Sequence, residues 1–530
     1  MSAVPPRIVL ATLNAKYIHA SLGLRYLLAN MERYGGYDLR ASTVLREFTI
    51  ARPAREIVDA LLAELSEAAE GPQIVGFGVY IWNVIQTTEV VRLLKAARPS
   101  LVVVLGGPEV SHEWQQQEIV ALADCLITGW GDVRFPKLCR ALFDGEPVPK
   151  VIAGEQPSLD QIALPYDEYS DADLAHRVLY VEASRGCPFK CEFCLSSLDK
   201  TAWPFDLDQV LAALESLYQR GARSFKFVDR TFNLKVENSA RILQFFLDRI
   251  EAGADLFLHF ELIPDHLPER LQTLIARFPP GALQFEIGIQ SFDPEVQQHI
   301  SRRQDNVRTE ANLRWLVEHS HAHLHTDLIF GLPGESLKSF AAGFDRLYGL
   351  RPHEIQLGIL KRLRGTPIAR HTDAHAMRYD PLPPYTVQST DAVDAQTMAR
   401  FARLARYWEL VANSGRFPRA LALMLDDQTS PFAAFLAFAD WLWQRAGKTN
   451  GLSPEALVDA LFDYLVSARG IAVEAVRQTL LADYLASGAR SNPACLQGLL
   501  KDRGDPISSE KALARRQERH ERKEAQGRAA

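Results

Sequence analysis

VEASRGCPFKCEFC spans residues 181–194 and holds three of the six cysteines of the chain, Cys187, Cys191 and Cys194. Their spacing is C-x3-C-x2-C, and cysteine thiolates are soft ligands that suit zinc, Cu(I) or an iron–sulfur centre. A closed structural site wants four protein ligands, whereas only three stand together here. A cubane held by three thiolates leaves one iron open, and an open iron can bind a substrate or cofactor. A zinc site with a distant fourth ligand and a set of buried structural cysteines are the alternatives.

The segment from Arg185 to Cys194 resembles the cluster loop of the radical S-adenosylmethionine (SAM) superfamily. The resemblance implies a [4Fe-4S] cluster whose metal ligands and catalytic residues are Cys187, Cys191 and Cys194. In that family SAM chelates the fourth iron, and its reductive cleavage yields a 5′-deoxyadenosyl radical. Phe193 matches the family's aromatic position beside the cluster and is expected to be a cofactor-binding residue.

The composition is that of an ordinary globular protein, with 47% hydrophobic and 23% charged residues over 530 positions. This length is enough for three or four domains. The net charge of -6 gives no sign of the positively charged surface that nucleic-acid-binding proteins need, so no nucleic-acid partner is expected. No signal peptide and no apolar run long enough to span a bilayer are recognised, so the sequence predicts a cytoplasmic protein without a membrane partner.

Residues 1–150 are predicted to form an α/β domain with a doubly wound parallel sheet, because short apolar segments alternate with helical ones. Ligands of such sheets bind at the carboxyl ends of the strands. The predicted strands are Arg7–Leu13, Tyr37–Leu45, Gln73–Val79, Leu101–Leu105 and Ala123–Thr128.

Glycines gather at two of these strand ends: Gly106 and Gly107 follow the fourth strand, and Gly129 and Gly131 follow the fifth. A glycine lets the main chain approach a large flat ligand, although glycines also end strands that bind nothing. The two loops resemble the GGP and GEGE-like loops of the cobalamin-binding domain that precedes the barrel in many radical SAM proteins. The resemblance implies a Rossmann-type cobalamin site at these four glycines.

The chain departs from the cobalamin pattern at three positions. Trp130 and Asp132 replace residues of the GEGE-like loop. His19 lies in YIHASLG, which lacks the aspartate of the D-x-H-x-x-G motif that supplies a lower axial histidine in other cobalamin enzymes. The radical SAM subclass usually lacks that histidine, so cobalamin is still expected, and His19 is expected to form hydrogen bonds within its loop.

Strands and helices alternate again over residues 178–372, after a polar linker predicted at 151–177. About six units predict a partial (β/α)6 barrel of the TIM type, with its chemistry at the C-terminal strand ends. The predicted strands are Leu179–Ala183, Ser224–Asp229, Leu256–Glu261, Leu283–Ile289, His323–Phe330 and Glu354–Leu360.

Polar residues at these strand ends resemble the SAM-binding positions of the superfamily. Asp229 stands where relatives often carry a Gly-Gly-Glu-type stretch, and Glu261 matches an acidic residue near SAM. Gln290 and Arg302 match residues that contact the ribose and carboxylate of SAM, and a guanidinium suits a carboxylate. Asp327, in DLIFGLPGE, is a ribose candidate. Each residue alone is also explained as an ordinary strand-end polar group, but Glu261, Gln290, Arg302 and Asp327 are expected to form one rim facing the cluster.

Three histidines alternate just before and within one predicted barrel strand, at His321, His323 and His325. A strand here would place them on one face. A metal site is one interpretation, and hydrogen-bonded or solvated histidines are the favoured one.

The remainder of the chain is predicted to be helical over residues 373–505 and to end in a charged, disordered tail at 506–530. The helical part resembles a C-terminal domain of unknown role in one group of cobalamin-type radical SAM proteins.

Three functions are open at this point, and the favoured one is a cobalamin-type radical SAM enzyme in which cofactors supply the difficult chemistry. Methylation of an unactivated carbon is one reaction that the resemblance allows. The second is a radical SAM enzyme whose N-terminal domain recruits substrate without cobalamin, and the third is a non-enzymatic metal-cluster protein. An enzyme of this kind needs an electron donor such as flavodoxin or ferredoxin and a small-molecule or peptide substrate that the sequence does not identify. Because reacting atoms must approach to about 3–3.5 Å, the glycine loops are expected to share a cavity with the cluster loop.

Overall fold

The computed structural model describes residues 7–65, 71–199, 201–489 and 491–500. The predicted tail at 506–530 lies outside these residues. The strands are β1 (Ile8–Asn14), β2 (Thr43–Thr49), β3 (Ile74–Gly78), β4 (Val102–Gly106), β5 (Cys125–Thr128), β6 (Val151–Ala153), β7 (Leu179–Val181), β8 (Ser184–Gly186), β9 (Ala202–Pro204), β10 (Ser224–Phe227), β11 (Phe257–Leu262), β12 (Leu283–Gln290), β13 (His323–Phe330), β14 (Glu354–Ile359), β15 (Arg378–Tyr379) and β16 (Val387–Ser389).

Helices separate most of these strands and make up the C-terminal region. They are α1 (Leu22–Ala29), α2 (Met31–Gly35), α3 (Tyr37–Ala41), α4 (Ala54–Glu64), α5 (Val84–Ala97), α6 (Glu118–Leu122), α7 (Arg134–Phe143), α8 (Asp171–His176), α9 (Leu207–Gln219), α10 (Val236–Glu251), α11 (Glu269–Ile275), α12 (Pro294–His299), α13 (Asn306–His319), α14 (Leu337–Gly349), α15 (Ala395–Val411), α16 (Pro418–Leu425), α17 (Pro431–Ala446), α18 (Pro454–Asp463) and α19 (Val473–Ala486).

The chain divides into two compact units, and each is described by itself below. The first unit comprises Met1–Thr231 together with two later segments, Lys361–Ala369 and Asp380–Thr386. The second comprises Phe232–Leu360, Arg370–Tyr379 and Val387–Ala530.

The first sheet is parallel throughout, with the strand order β2-β1-β3-β4-β5-β6. Helices α4, α5 and α6 cover one face and α1, α2 and α7 cover the other. Both faces are therefore apolar, which explains why the strands are nearly continuous hydrophobic runs. The predicted doubly wound sheet is confirmed, and its strand order reverses between β1 and β3, where such sheets bind ligands.

The prediction of a strand over Tyr37–Leu45 is wrong. Tyr37–Ala41 is a short helix that follows Gly36 at φ +100°, and β2 begins at Thr43, opposite Ile8 of β1. The apolar residues Tyr37 and Leu39 are two apart, as in a strand, but Tyr37 is exposed and only Leu39 enters the core. Further along, Val151–Ala153 belongs to the segment predicted as a polar linker, yet it pairs with β5 as the sixth strand.

The six predicted barrel strands are all found, within a few residues of their predicted bounds. In the first unit β7 pairs in parallel with β10. In the second unit β11, β12, β13 and β14 pair in parallel in that order. Helices follow the strands, as α9, α10, α13 and α14 do, so the predicted partial barrel is confirmed.

The C-terminal region is helical from Ala395 onward, as predicted, but the first part of the predicted helical domain contains an antiparallel strand pair, β15 and β16. The helices pack through aromatic side chains inside the second unit. The ring of Phe330 on β13 lies 4.2 Å from that of Phe401 on α15, centroid to centroid. Phe340 on α14 contacts both Phe401 and Phe432 on α17, with centroid distances of 5.0 and 5.8 Å. None of the helices in the described ranges is long and apolar enough to cross a lipid bilayer.

A buried ion-pair network connects the segment before the barrel to the first sheet. Arg25 on α1 is 1% exposed, and its Nη2 lies 2.9 Å from both Glu47 Oε2 on β2 and Asp173 Oδ2 on α8. Arg177, just after α8, contacts the same two carboxylates at 2.7 and 3.2 Å. Two guanidinium groups and two carboxylates thus alternate, which compensates the charge of each group despite burial.

This network predicts a large difference between two arginine substitutions. Arg25→Ala should lower the free energy of unfolding by about 3 kcal/mol, because it leaves buried carboxylates short of one cation. The matched control is Arg46→Ala: Arg46 is 42% exposed and pairs with Glu64 on the surface, so its loss should cost less than about 1 kcal/mol. Urea denaturation followed by far-UV circular dichroism measures both, and equal costs would contradict the assignment.

Candidate active site

The cysteine loop is enclosed by a short hairpin in the first unit. Strand β8, which ends at Gly186, pairs antiparallel with β9, so the hairpin closes just outside the three cysteines. Cys187 and Cys191 are buried, Cys194 is half-buried, and all three are free thiols. The main-chain N–H of Cys194 donates to the carbonyl of Cys191 at 3.1 Å, which turns the chain between these two residues.

The electrostatics of the loop suit a ligand that takes up thiolates. Burial, together with the nearby Cys194 and Cys191, raises the pKa of Cys187 to about 11, although a hydrogen bond from the main chain of Phe189 and the nearby Arg230 act in the opposite direction. A thiol in such surroundings becomes a thiolate when a metal supplies the compensating charge. The three side chains therefore fit an iron–sulfur cluster by donor type, number and proximity.

Gly186 is required by the geometry at the entrance of the loop. Its φ is +84°, and a Cβ at this position would overlap with the carbonyl oxygen of Thr201. Any other residue would therefore push the two sides of the hairpin apart.

Asp229, expected from the sequence to bind the cofactor, is buried and holds the main chain that enters the cysteine loop. Its carboxylate accepts hydrogen bonds from the N–H of Ala183 at 3.0 Å and from the hydroxyl of Ser184 at 2.5 Å. Burial raises the pKa of Asp229 to about 7, although these hydrogen bonds act in the opposite direction. The contacts observed for this carboxylate are thus made with the protein chain at the end of β7.

A cavity of about 340 Å³ opens at the carboxyl end of the first sheet, within the first unit. All four of the predicted glycines line it, and so do Gly186 and Ser196 on either side of the cysteines. The glycine loops and the cysteine loop therefore share one cavity, as expected. Other lining residues are Tyr26, Tyr80, Trp130, Asp132, Glu182, Arg185 and Arg230.

The glycines suit this cavity for two different reasons. Gly107 has a φ of +114°, and a Cβ there would overlap with the carbonyl oxygen of Val79 on the neighbouring strand. At Gly106 the nearest atom to such a Cβ is 3.8 Å away, and at Gly129 no atom lies within 4 Å. Gly129 has a φ of +72°, so Gly107 and Gly129 both need glycine for the main chain. The absence of a side chain at Gly106 and Gly129 also keeps the cavity clear for a bulky group, which fits cobalamin.

Arg185 joins the glycine loop to the cysteine loop, a role that was not predicted from the sequence. Its two Nη atoms lie 3.0 and 3.1 Å from the carboxylate oxygens of Asp132, and its Nε lies 2.7 Å from Glu182 Oε1. Its guanidinium carbon is 4.2 Å from the ring centroid of Tyr26 and 4.9 Å from that of Trp130. Burial opposes a charge here, but Glu182 and Asp132 raise the pKa of Arg185 and keep it cationic.

The other glycine loop, which contains Gly106 and Gly107, is anchored by the two later segments of the first unit. Glu109, directly after Gly106-Gly107-Pro108, is buried and accepts hydrogen bonds from Arg364 Nε at 2.9 Å and from the Tyr385 hydroxyl at 2.6 Å. Glu113 forms a two-pronged ion pair with Arg362 at 3.0 and 3.1 Å. Side chains that follow the last barrel strand in sequence thus hold the loop in place.

His19 forms hydrogen bonds, as expected, but its ring does so with a residue outside its own loop. Its Nδ1 lies 2.7 Å from the hydroxyl of Tyr180, and Asn14 donates to its main-chain carbonyl at 2.7 Å. Burial, followed by the nearby Lys16 and Lys226, lowers the pKa of His19.

The second unit brings the four SAM candidates of the barrel to one region of its sheet. Glu261 pairs in register with Glu286, and Asp327 with Gly288 two residues further along β12, so Glu261 and Asp327 belong to one face. Gln290 follows a register shift, but its side-chain Nε2 lies over the Cβ position of Gly288, on the same face. Arg302 donates to the carbonyl of Gly288 and, at 2.9 Å, to Gln304. The expectation that these four side chains form one rim facing the cysteines remains a prediction.

Gln290 carries a buried polar atom that suits a ligand. Its φ is +70°, at a register shift between β12 and β13. Its Oε1 is buried and forms no hydrogen bond with any described residue. A buried amide oxygen without a donor is costly, so this site fits a cofactor that brings a hydroxyl or an amino group, as SAM does.

The DLIFGLPGE loop is tied to the neighbouring strand end by a residue that was not singled out from the sequence. Glu335 is buried, and its carboxylate accepts a hydrogen bond of 2.7 Å from the hydroxyl of Ser291. Burial raises the pKa of Glu335 well above its usual range.

Three family models match consecutive parts of the chain. They are the B12 binding domain at residues 8–139, the radical SAM superfamily at residues 181–347 and a protein of unknown function (DUF4080) at residues 373–526. The first implies cobalamin, and the second implies SAM and a [4Fe-4S] cluster.

Curated relatives include cobalamin-dependent enzymes. The chain is 25% identical over 337 residues to the cobalamin-dependent radical SAM methyltransferase TokK of Streptomyces tokunonensis, covering 57% of this chain and 49% of the relative. It is 24% identical to 2-(S-pantetheinyl)-carbapenam-3-carboxylate methyltransferase of Streptantibioticus cattleyicolor, covering 55% and 47%. An uncharacterized methyltransferase of Pyrococcus horikoshii is 29% identical, covering 47% and 59%. The chain thus spans about half the length of the curated relatives it matches.

Solved structures with the same fold are cobalamin-dependent enzymes as well. OxsB, described as a cobalamin-dependent SAM radical enzyme, superposes with a TM-score of 0.60 at 12% identity and covers 98% of this chain and 84% of its own. The radical SAM methyltransferase TsrM of Kitasatospora setae superposes with a TM-score of 0.56 at 17% identity, covering 72% and 79%. These likenesses concern the fold. The family models show that the chain carries a B12 binding domain at residues 8–139, followed by a radical SAM domain at residues 181–347.

Proposed function

We propose that the protein is a cobalamin-dependent radical SAM enzyme that methylates an unactivated carbon of a small molecule or peptide. The observation that carries this proposal is a cavity of the first unit whose wall includes Gly106 and Gly129 from the B12 binding domain and Gly186 and Ser196 from the cysteine loop. A methyl donor and a radical generator must act on the same carbon, with reacting atoms about 3–3.5 Å apart. A shared cavity satisfies that requirement.

The cofactors would supply chemistry that no side chain can: hydrogen abstraction after reductive SAM cleavage, and delivery of a methyl group from cobalt. Cys187, Cys191 and Cys194 would hold the cluster and leave its fourth iron to SAM. Gly186 and Asp229 would shape the main chain of the loop that holds it. An external protein reductant such as flavodoxin or ferredoxin is needed to supply the electron.

The residues around SAM and cobalamin would act by position and charge. Gln290 Oε1 is an acceptor in need of a donor, and Glu261 and Asp327 on the same face could accept from the amino group or the ribose hydroxyls. The Arg302 guanidinium, close to this face, suits the SAM carboxylate. In the first unit Arg185 would hold the glycine loop that contains Asp132 at a constant distance from the cysteine loop.

Loss of any one cysteine of the loop should abolish both the cluster and its reaction. Cys187→Ala, Cys191→Ala and Cys194→Ala should each lose the absorbance near about 400 nm and the reductive cleavage of SAM, since three thiolates are the minimum for a cubane with an open iron. The control is Cys495→Ala, which changes a half-buried free thiol of the second unit. Iron and sulfide content and 5′-deoxyadenosine formation under anaerobic conditions are the measurements, and turnover by any loop variant would refute the assignment.

A methyl group added at Gly186 should disturb the cluster loop without removing a ligand. Gly186→Ala forces a Cβ onto the Thr201 carbonyl and is expected to lower the iron bound after reconstitution at least about tenfold, which corresponds to 1.4 kcal/mol or more of lost binding. Gly221→Ala is the control, because Gly221 also has a positive φ, +103°, but no atom lies within 4 Å of its Cβ position. Equal iron content in the two variants would show that the hairpin does not shape the site.

Filling the cavity from the glycine side should remove cobalamin and spare the cluster. Gly106→Phe places a ring in the space that a corrin needs, so purified protein grown with hydroxocobalamin should lose the absorbance of the cofactor while its iron and sulfide content is unchanged. Gly106→Ala should retain cobalamin, because its Cβ would be 3.8 Å from the nearest atom. Should the wild-type protein cleave SAM and take up no cobalamin, methyl transfer is excluded and a radical SAM enzyme with a substrate-recruiting N-terminal domain replaces it.

A further inference from the structure

Two histidines and a carboxylate meet on one face of the sheet in the second unit. His323 and His325 are two residues apart on β13, so their side chains leave the same face of the strand. Glu354 on β14 is the direct register partner of His325. His321, the first residue of the alternating triplet, precedes the strand and is exposed, so it takes no part in this group.

The distances between these side chains match the coordination shell of a single ion. Glu354 Oε1 lies 3.2 Å from Nε2 of His323 and 3.2 Å from Nε2 of His325. One donor atom from each of the three residues falls within 4.8 Å of the others. A tetrahedral zinc ion with bonds of about 2.0–2.1 Å separates its ligand atoms by about 3.3 Å. The observed separations therefore leave room for an ion between the three donors with small side-chain movements.

Burial adds an energetic reason for a cation at this place. Glu354 is 1% exposed and His323 is 3% exposed. A carboxylate in such surroundings is costly unless its charge is compensated, and coordination to a metal is one of the two usual ways. Two imidazoles and one carboxylate are donors that zinc and its divalent neighbours accept.

Two glutamines surround His325 in the manner expected of groups that orient a metal ligand. Gln356 Nε2 lies 3.1 Å from His325 Nδ1, whereas Gln284 Nε2 lies 3.2 Å from each of the two ring nitrogens of His325. A histidine that binds a metal through Nε2 carries its proton on Nδ1 and donates it to a nearby oxygen. A half-turn of either amide presents its carbonyl oxygen to that proton.

From this arrangement we propose that His323, His325 and Glu354 bind one divalent transition-metal ion, with zinc as the ion that the donors favour. The fourth position would be taken by water or by the amide oxygen of Gln284. The site is built from residues other than the cysteines and does not depend on the proposed reaction. For His323 and His325 the metal site replaces the interpretation favoured from the sequence, that the histidines are hydrogen-bonded or solvated. For His321 that interpretation is unchanged.

The test is the metal content of the full-length protein, purified without a histidine tag and desalted after exposure to Zn²⁺. We expect about one zinc per chain beyond the iron of the cluster. Glu354→Gln, which keeps the shape of the side chain but removes its charge and one acceptor oxygen, and His325→Asn should each lose this ion. The matched control His321→Asn should retain it. Plasma mass spectrometry counts zinc and iron separately, and circular dichroism verifies that each variant is folded.

The outcomes separate the proposed site from the cysteine loop and from simple hydrogen bonding. Zinc held by an incompletely loaded cysteine loop would persist in Glu354→Gln and His325→Asn, and that result would overturn the proposal. Wild-type protein with no stoichiometric divalent ion besides cluster iron would also overturn the proposal, because the buried carboxylate would then be satisfied without a metal. Loss of zinc in the folded Glu354→Gln and His325→Asn variants, with retention in His321→Asn, would support it even if SAM cleavage were absent.

Discussion

The first unit depends on one buried guanidinium. Arg185 stands two residues before Cys187 and is bound at the same time to Asp132 in the glycine loop and to Glu182 at the end of β7. A buried charge of this kind is stable only while all its partners are in place, since the loss of one leaves another uncompensated. The position of the loop that contains Gly129 and Asp132 is therefore fixed relative to the cysteine loop, and this fixes the width of the cavity between the two loops.

This pairing also explains the two departures of the chain from the GEGE-like pattern. Asp132 supplies the carboxylate for Arg185, and Trp130 supplies a ring face over which its guanidinium lies. The sequence showed the unusual residues at both loops, but their contact joins positions 53 residues apart and depends on how β5 and β7 are placed. Residue patterns along the chain carry no information on such a contact, and for this reason no role of Arg185 was predicted from the sequence.

Strands and helices with a regular hydrophobic pattern could be predicted from the sequence, whereas features that depend on tertiary contacts could not. The apolar strands β1, β3, β4 and β5 and the six barrel strands were found because continuous hydrophobic runs between helices are typical of parallel sheets. The second strand was placed six residues too early, because Tyr37 and Leu39 imitate strand alternation while Gly36 at φ +100° starts a helical turn. Likewise His323 and His325 were recognised as one face, but Glu354 lies about 30 residues away, and only the register of β13 against β14 brings it to them.

The anchoring of Glu109 bears on how such a protein can be divided or recombined. The B12 binding domain looks like a separable module at residues 8–139, yet its glycine loop is held by Arg364 and Tyr385, which come from beyond the barrel strands. An isolated N-terminal fragment would leave the carboxylate of Glu109 buried without its cation, or force the loop to open and hydrate it. A chimaera that exchanges this domain between relatives would have to exchange these two distant residues with it, because the domain and the segment that follows the barrel belong to one structural unit despite more than 200 residues between them.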